Sequence, residues 1–143
     1  MAYDDQNIFA KILRGEMPCH KVYEDEQTLA FLDIMPQVKG HCLVLPKSPA
    51  VNILDVEEAS LAAVMATVRK LAPVIVDVMS ADGFRLMQFN GAAAGQTVFH
   101  LHMHILPMGE ATRIGSHNAP GNMADGAELE DQAARIIAAL DSD

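Results

Sequence analysis

Tryptophan is absent from this 143-residue chain, and cysteine occurs twice, as Cys19 and Cys42. Neither cysteine belongs to a C-x-x-C pair, so a cysteine-built zinc module is excluded. Free, buried thiols in a reducing cytoplasm are the expectation. Basic residues are also scarce, at 10 against 19 acids, for a formal net charge of −9. A general nucleic-acid binder needs a basic face, and so does a polybasic membrane anchor; neither partner is expected. No run of about 18 apolar residues stands out, so no transmembrane helix is expected. The opening Met1-Ala2-Tyr3-Asp4-Asp5 lacks the basic start and apolar stretch of a secretory signal. Internal repeats and low-complexity tracts are missing too.

What the chain does have is apolar mass. Half of its residues are hydrophobic and 20% are charged, enough for one domain over residues 1–143 with a real core. Ile8, Phe9, Ile12 and Leu13 fall at helical spacing before Gly15 and Pro18, which predicts a short N-terminal helix. Strand-like runs follow at 20–24, 28–33 and 41–46, the first two joined through Asp25-Glu26-Gln27. Asp55 reads as a helix N-cap, with Glu58 three residues on. Leu61, Val64, Met65, Val68, Ala72, Ile75 and Met79 then share a face of a long helix that Pro73 should kink. Further strands are predicted at 84–89 and 99–106, the last ended by Pro107. Residues 109–126, with four glycines and Pro120, read as a long loop. A final helix over 127–140 would present Leu129, Ile136, Ile137 and Leu140. Hairpin strands with segregated helices imply an α+β fold with an antiparallel sheet.

The most informative segment is Phe99-His100-Leu101-His102-Met103-His104-Ile105-Leu106-Pro107. Histidine alternates with apolar residues, and that period suits a strand, where alternate side chains share a face. His100, His102 and His104 are then expected on one side, with Leu101, Met103 and Ile105 on the other. Three functions compete for such a face: none, a metal, or covalent catalysis. Histidines on a strand can hold zinc, but no acidic residue lies at a helpful spacing nearby, and a cupin's spacing does not match Gly95, His102, His104 and Glu110. A neutral imidazole is also a competent nucleophile toward phosphorus. Just upstream, Asn90-Gly91-Ala92-Ala93-Ala94-Gly95-Gln96-Thr97-Val98 lets the backbone approach an anion closely.

His100-Leu101-His102-Met103-His104-Ile105-Leu106 resembles the motif of the histidine triad family. The likeness extends over roughly residues 7–107, through Ile8-Phe9, Gly15-Glu16-Met17-Pro18, Val22-Tyr23-Glu24-Asp25, Asp33-Ile34 and Gly40-His41. It implies an antiparallel sheet of about five strands with a long helix, a homodimer, and a purine nucleotide substrate resembling AMP, cleaved at its α-phosphorus without a cofactor. By this resemblance His102 is the nucleophile, and the His100 carbonyl holds its other nitrogen. His104 would donate to phosphate or leaving group. Gly95 and Thr97 would offer backbone N–H groups, the Thr97 hydroxyl would assist the leaving group, and Asn90 and Gln96 would lie beside the same phosphate. Asp33 would grip the ribose, Ile8, Phe9, Ile12, Met17 and Phe31 would line the base slot, and His41 would support the triad from behind. No function is assigned to His20 or His117.

Some bacterial members of that family hold a structural zinc with a C-x-x-C pair, a later histidine and the first triad histidine. The corresponding residues here are Asn7, Ala10 and Pro49, so no metal is expected. The N-terminal half resembles the Hint-type phosphoramidases. Gly95-Gln96-Thr97-Val98 and Leu106-Pro107 resemble the Fhit-type dinucleoside polyphosphate hydrolases, but Met108 stands where those usually carry a base. A small nucleotide ester or phosphoramidate is therefore favoured over a long polyphosphate, and the competing class is a non-catalytic nucleotide-binding or scaffold protein, against which the intact His102 argues. The tail from Gly109 is outside the shared pattern and is expected to tune the leaving-group side.

Overall fold

The structure, a computed structural model, describes residues 2–110, 112 and 123–142. Most of the expected 109–126 loop lies outside these. Helix α1 (Ile8–Leu13) starts where the Asn7 side chain accepts the Ala10 N–H at 2.9 Å. It ends at Gly15, whose φ of +79° is open to glycine at no steric cost. Strands β1 (His20–Glu24) and β2 (Thr28–Leu32) form a hairpin closed by Asp25, whose Oδ1 accepts the N–H groups of Gln27 and Thr28, each at 2.8 Å. Strand β3 (Cys42–Pro46) follows, then the long helix α2 (Glu58–Val78), strand β4 (Gly83–Met87), strand β5 (Met103–Met108) and helix α3 (Gly126–Asp141). The five strands form an antiparallel sheet in the order β1-β2-β3-β5-β4.

Both sheet faces are covered over β2 and β3, where every residue is buried. Val22, Ala30, Leu32, Cys42, Val44 and Ile105 meet Val64, Val68, Leu71 and Ile75 of α2 and Leu129, Ala133 and Ile136 of α3. On the opposite face Leu29, Phe31, Leu43 and Leu45 pack under Phe9 and Ile12 of α1. Strand pairing puts Phe31, Leu43 and His104 in one cross-strand row, so His104 stands on the α1 face. Met103 and Ile105, one residue either side, face the long helix as the alternation requires.

Several local expectations are corrected. Asp55 does not cap α2; Glu57 is the N-cap, and the Asp55 carboxylate accepts the N–H groups of Val51 and Asn52 at 2.9 Å instead. A closed turn upstream offered Asp55 two donors, and the helix starts after it. Met65 is exposed, whereas Leu71 and Val74 are buried, so the inward face of α2 is rotated from the predicted one. By length and composition α2 could cross a bilayer, contrary to the sequence reading, but it is seated on the sheet. Strand β4 stops at Met87, where its pairing with β5 ends at His104, and beyond it Gln88 and Asn90 exchange side-chain hydrogen bonds.

Strand β5 begins at Met103 and runs through Pro107. The Met108 carbonyl accepts from Asp82 beside β4, so Pro107 turns its nitrogen the other way, past the end of the β3 ladder at Ile105. The proline therefore removes no ladder hydrogen bond. Helix α3 belongs to the main core, on the sheet face opposite α1 and His104, so the expectation that this helix tunes the leaving-group side does not hold. Ile137 is exposed, and Ile136 supplies the buried contact.

Candidate active site

The three triad histidines are held by contacts that come from distant parts of the chain. His100 is fully buried just ahead of β5. Its Nε2 lies 2.7 Å from the Pro46 carbonyl, which can only accept, so Nε2 carries the proton. Nδ1 of the neutral ring is then an acceptor, and the Tyr3 hydroxyl donates to it at 2.6 Å. Burial pushes the imidazole below its ordinary pKa, against the opposing Pro46 bond, and favours that neutral form. The Leu101 N–H donates to the Ala50 carbonyl at 2.8 Å, which anchors the extended segment before the ladder begins.

His102 Nδ1 lies 2.6 Å from the His100 carbonyl. A carbonyl accepts, so Nδ1 carries the proton and the lone pair of the neutral ring falls on Nε2. Phe9 of α1 meets this ring edge-on, with centroids 4.8 Å apart and planes at 83°. The His104 ring is 4.9 Å away. The Gln37 N–H donates to Nδ1 of His41 at 3.1 Å, so His41 is protonated at Nε2 and donates to Nδ1 of His104 at 2.8 Å. The neutral His104 ring therefore carries its own proton on Nε2. These tautomers follow from the fixed donor or acceptor character of two carbonyls and one backbone N–H. Phe89 lies 5.2 Å from the His104 ring.

Asp33 is buried beyond the end of β2, with Oδ1 accepting the Met35 N–H at 2.8 Å and Oδ2 3.8 Å from His41 Nδ1. One atom each of Asp33, His41 and His104 lie within 4.8 Å of one another, a spacing that could suit a metal ion. Both nitrogens of His41 and Nδ1 of His104 already serve hydrogen bonds, however, so the set fits a proton-ordering chain better than a coordination site.

The small-residue loop closes on itself. Gly91 and Gly95 have φ of +94° and +104°, and the N–H groups of Gly95 and Gln96 donate to Ala92 and Gly91 carbonyls. The buried Gln96 amide donates to the Val51 and Val98 carbonyls and accepts from Gly91, so it braces the loop. The Asn90 side chain accepts the Ile53 N–H at 2.8 Å. Thr97 is exposed at the loop's end. Of the residues expected around the base, Phe9 and Phe31 are buried together and Ile12 packs beside them, whereas Ile8 and Met17 are exposed. Tyr3, Phe89, Pro46 and Gln37 were not singled out in the sequence. The last two act through backbone atoms, and Tyr3 meets its partner across 97 residues. No local pattern could have shown these contacts.

Residues 14–111 match the family model of the HIT domain. A crystal structure of a HIT-like protein from Bartonella henselae, described as involved in cell-cycle regulation and bound to an unknown ligand, is similar with a TM-score of 0.89. Its identity is 44%, over 96% of this chain and 99% of that one. The adenosine 5'-monophosphoramidase hnt1 of Schizosaccharomyces pombe is 40% identical over 70% of this chain and 72% of its own length. The adenylylsulfatase HINT3 of Arabidopsis thaliana is 42% identical over 72% of this chain, which matches about half (52%) of that protein. Fold, triad geometry and sequence coverage agree, and the chain belongs to the HIT domain family.

Proposed function

We propose that this protein hydrolyses adenosine 5'-phosphoramidates or related adenylylated compounds through a nucleotidyl-histidine intermediate on His102. The observation that carries the reading is the 2.6 Å bond from His102 Nδ1–H to the His100 carbonyl, which places the lone pair of the neutral ring on Nε2, the nitrogen that attacks. Nε2 bonds to the α-phosphorus as the bond to the leaving amine or oxygen breaks. Water then attacks phosphorus, releases AMP and restores the imidazole. His104 donates its Nε2 proton to a phosphate oxygen or to the leaving group, in the orientation that His41 sets. The Thr97 hydroxyl assists the departing group, and Asp33 receives the ribose hydroxyls. The phosphoramidase and adenylylsulfatase names of the two relatives agree with this substrate class.

Protein quenched during turnover of an adenosine phosphoramidate should carry an added adenylyl mass on His102, and His102→Ala should lack it while retaining AMP binding. Full turnover by a folded His102→Ala variant would falsify the proposal. Preferential cleavage of dinucleoside polyphosphates would move the substrate to the Fhit-type class. We further propose a homodimer through β4 and α2, where Phe84, Leu86 and Met65 are exposed along a cleft of about 530 Å³ beside the outer strand. Light scattering should give twice the chain mass, and Phe84→Asp should shift it to the monomer; a monomeric wild-type protein rejects this interface.

A further inference from the structure

We propose that Tyr3 is a positioning residue for the nucleophile: its hydroxyl fixes the His100 ring, and the His100 carbonyl in turn fixes the His102 ring. This inference rests on the reading of His102 as the attacking group. The β5 ladder begins at Met103, so the sheet does not hold the His100 carbonyl in place. The Leu101 N–H, in the same peptide plane, holds one side of it through the Ala50 carbonyl at 2.8 Å, and the His100 side chain holds the other. The buried His100 ring is fastened at both nitrogens, to the Pro46 carbonyl at 2.7 Å and to the Tyr3 hydroxyl at 2.6 Å. The Tyr3 ring also meets it edge-on, with centroids 5.6 Å apart.

Tyr3 is itself held by a built turn. The Asp4 carbonyl accepts from both the Asn7 N–H and the Asn7 side chain, at 3.2 and 2.7 Å. Asp4 Oδ1 accepts the Gln6 N–H at 2.9 Å, and Arg14 beyond α1 donates to the Asp5 carbonyl at 2.7 Å. Helix α1 thus carries two contacts to the triad. Phe9 touches the nucleophile directly, and the turn that precedes the helix delivers Tyr3 to its neighbour. Without the hydroxyl, Nδ1 of His100 is a buried acceptor, and the other tautomer gives no relief because it would turn an Nε2 lone pair on the Pro46 carbonyl, so the ring must shift to find a donor. That shift displaces the carbonyl that selects the His102 lone pair. Small misplacements of a reacting group cost up to about 100-fold in rate.

Tyr3→Phe keeps the ring and removes the hydroxyl. The rate of His102 nucleotidylation in a single turnover should fall about tenfold, equivalent to about 1.4 kcal/mol. The AMP dissociation constant should stay within about twofold, because Tyr3 contacts His100 and acts through it. Long-range proton–nitrogen spectra should show wild-type His100 protonated at Nε2 and His102 at Nδ1, with the His102 signature shifted toward a mixed tautomer in Tyr3→Phe. A purely tethering role predicts a lower melting temperature with wild-type rate and spectra below the melt, and that outcome overturns the proposal. Should the variant not fold, the native spectrum decides: a wild-type His100 ring protonated at Nδ1 overturns it, and one protonated at Nε2 supports it. If wild-type protein forms no adduct, the reading of His102 as nucleophile fails. If wild-type forms it and Tyr3→Phe forms it equally fast, the Tyr3 proposal alone fails.

Discussion

Replacing His41 with leucine, a side chain of similar bulk and no polar atoms, tests the proton-ordering chain behind the triad. His104 is 1% exposed, and its Nδ1 loses the donor now 2.8 Å away. Leaving a buried acceptor in that state costs about 1–3 kcal/mol. The Gln37 N–H loses its acceptor at 3.1 Å too, but it is only partly buried and water can replace that bond, so it adds under about 1 kcal/mol. The sum, about 1–4 kcal/mol, corresponds to roughly 3–12 °C in melting temperature for a chain of this size. Activity should suffer separately. With Nδ1 free to take the proton, His104 no longer presents Nε2–H in every molecule, and kcat should fall about 10–100-fold with KM little changed. Urea denaturation followed by circular dichroism gives the first number, and phosphoramidate turnover gives the second. A His41→Leu variant with stability within about 0.5 kcal/mol of wild type and unaltered kcat would refute the chain.

Gly40 has φ of +82°, and a Cβ there would sit 2.7 Å from Met79 Cγ, so Gly40→Ala should cost about 2–4 kcal/mol in urea unfolding; a neutral result would show that the turn repacks freely. Burial pushes the Cys42 thiol up to about 12, so a thiol reagent at mildly alkaline pH should modify half-buried Cys19 and leave Cys42 until the protein unfolds, with equal labelling of both refuting the burial. The buried His100 ring sits below its ordinary value of 6.5, so as pH falls the unfolded chain takes the proton first. Its contribution to stability is complete above 6.5 and is lost on acidification from there toward the lower folded value. Wild-type protein should therefore lose more stability than His100→Gln between about pH 7.5 and about pH 5.5, and parallel losses would contradict the argument.

The α+β class, the hairpin and the histidine cluster were legible because each has a short-range signature. Short continuous apolar runs mark β2 and β3, and Asp25 marks the turn between β1 and β2. Element ends were less legible. Asp55 carries every local sign of a helix cap, yet a turn that only the folded chain forms offers its carboxylate two other donors. The small-residue loop read as open to an anion, but the N–H groups of Ala94, Gly95 and Gln96 turn inward to its own carbonyls and the Gln96 side chain seals it from within.

By itself the sequence determined that the histidines would cluster, that His104 would lie opposite Met103 and Ile105, and that the chain had apolar residues enough to bury both sheet faces beneath helices. Those properties follow from residue type and period, which are fixed before folding. Only the tertiary structure decided which nitrogen of His100, His41 and His104 bears the proton. That choice depends on the Pro46 carbonyl, the Gln37 N–H and the Tyr3 hydroxyl, brought to the rings across 54, 4 and 97 residues. The Gln37 contact, although short in sequence, forms only because the chain bends back after Asp33 to pair at His41. Hydrogen-bond direction is a property of where atoms finally meet, and no repeat along a chain encodes it.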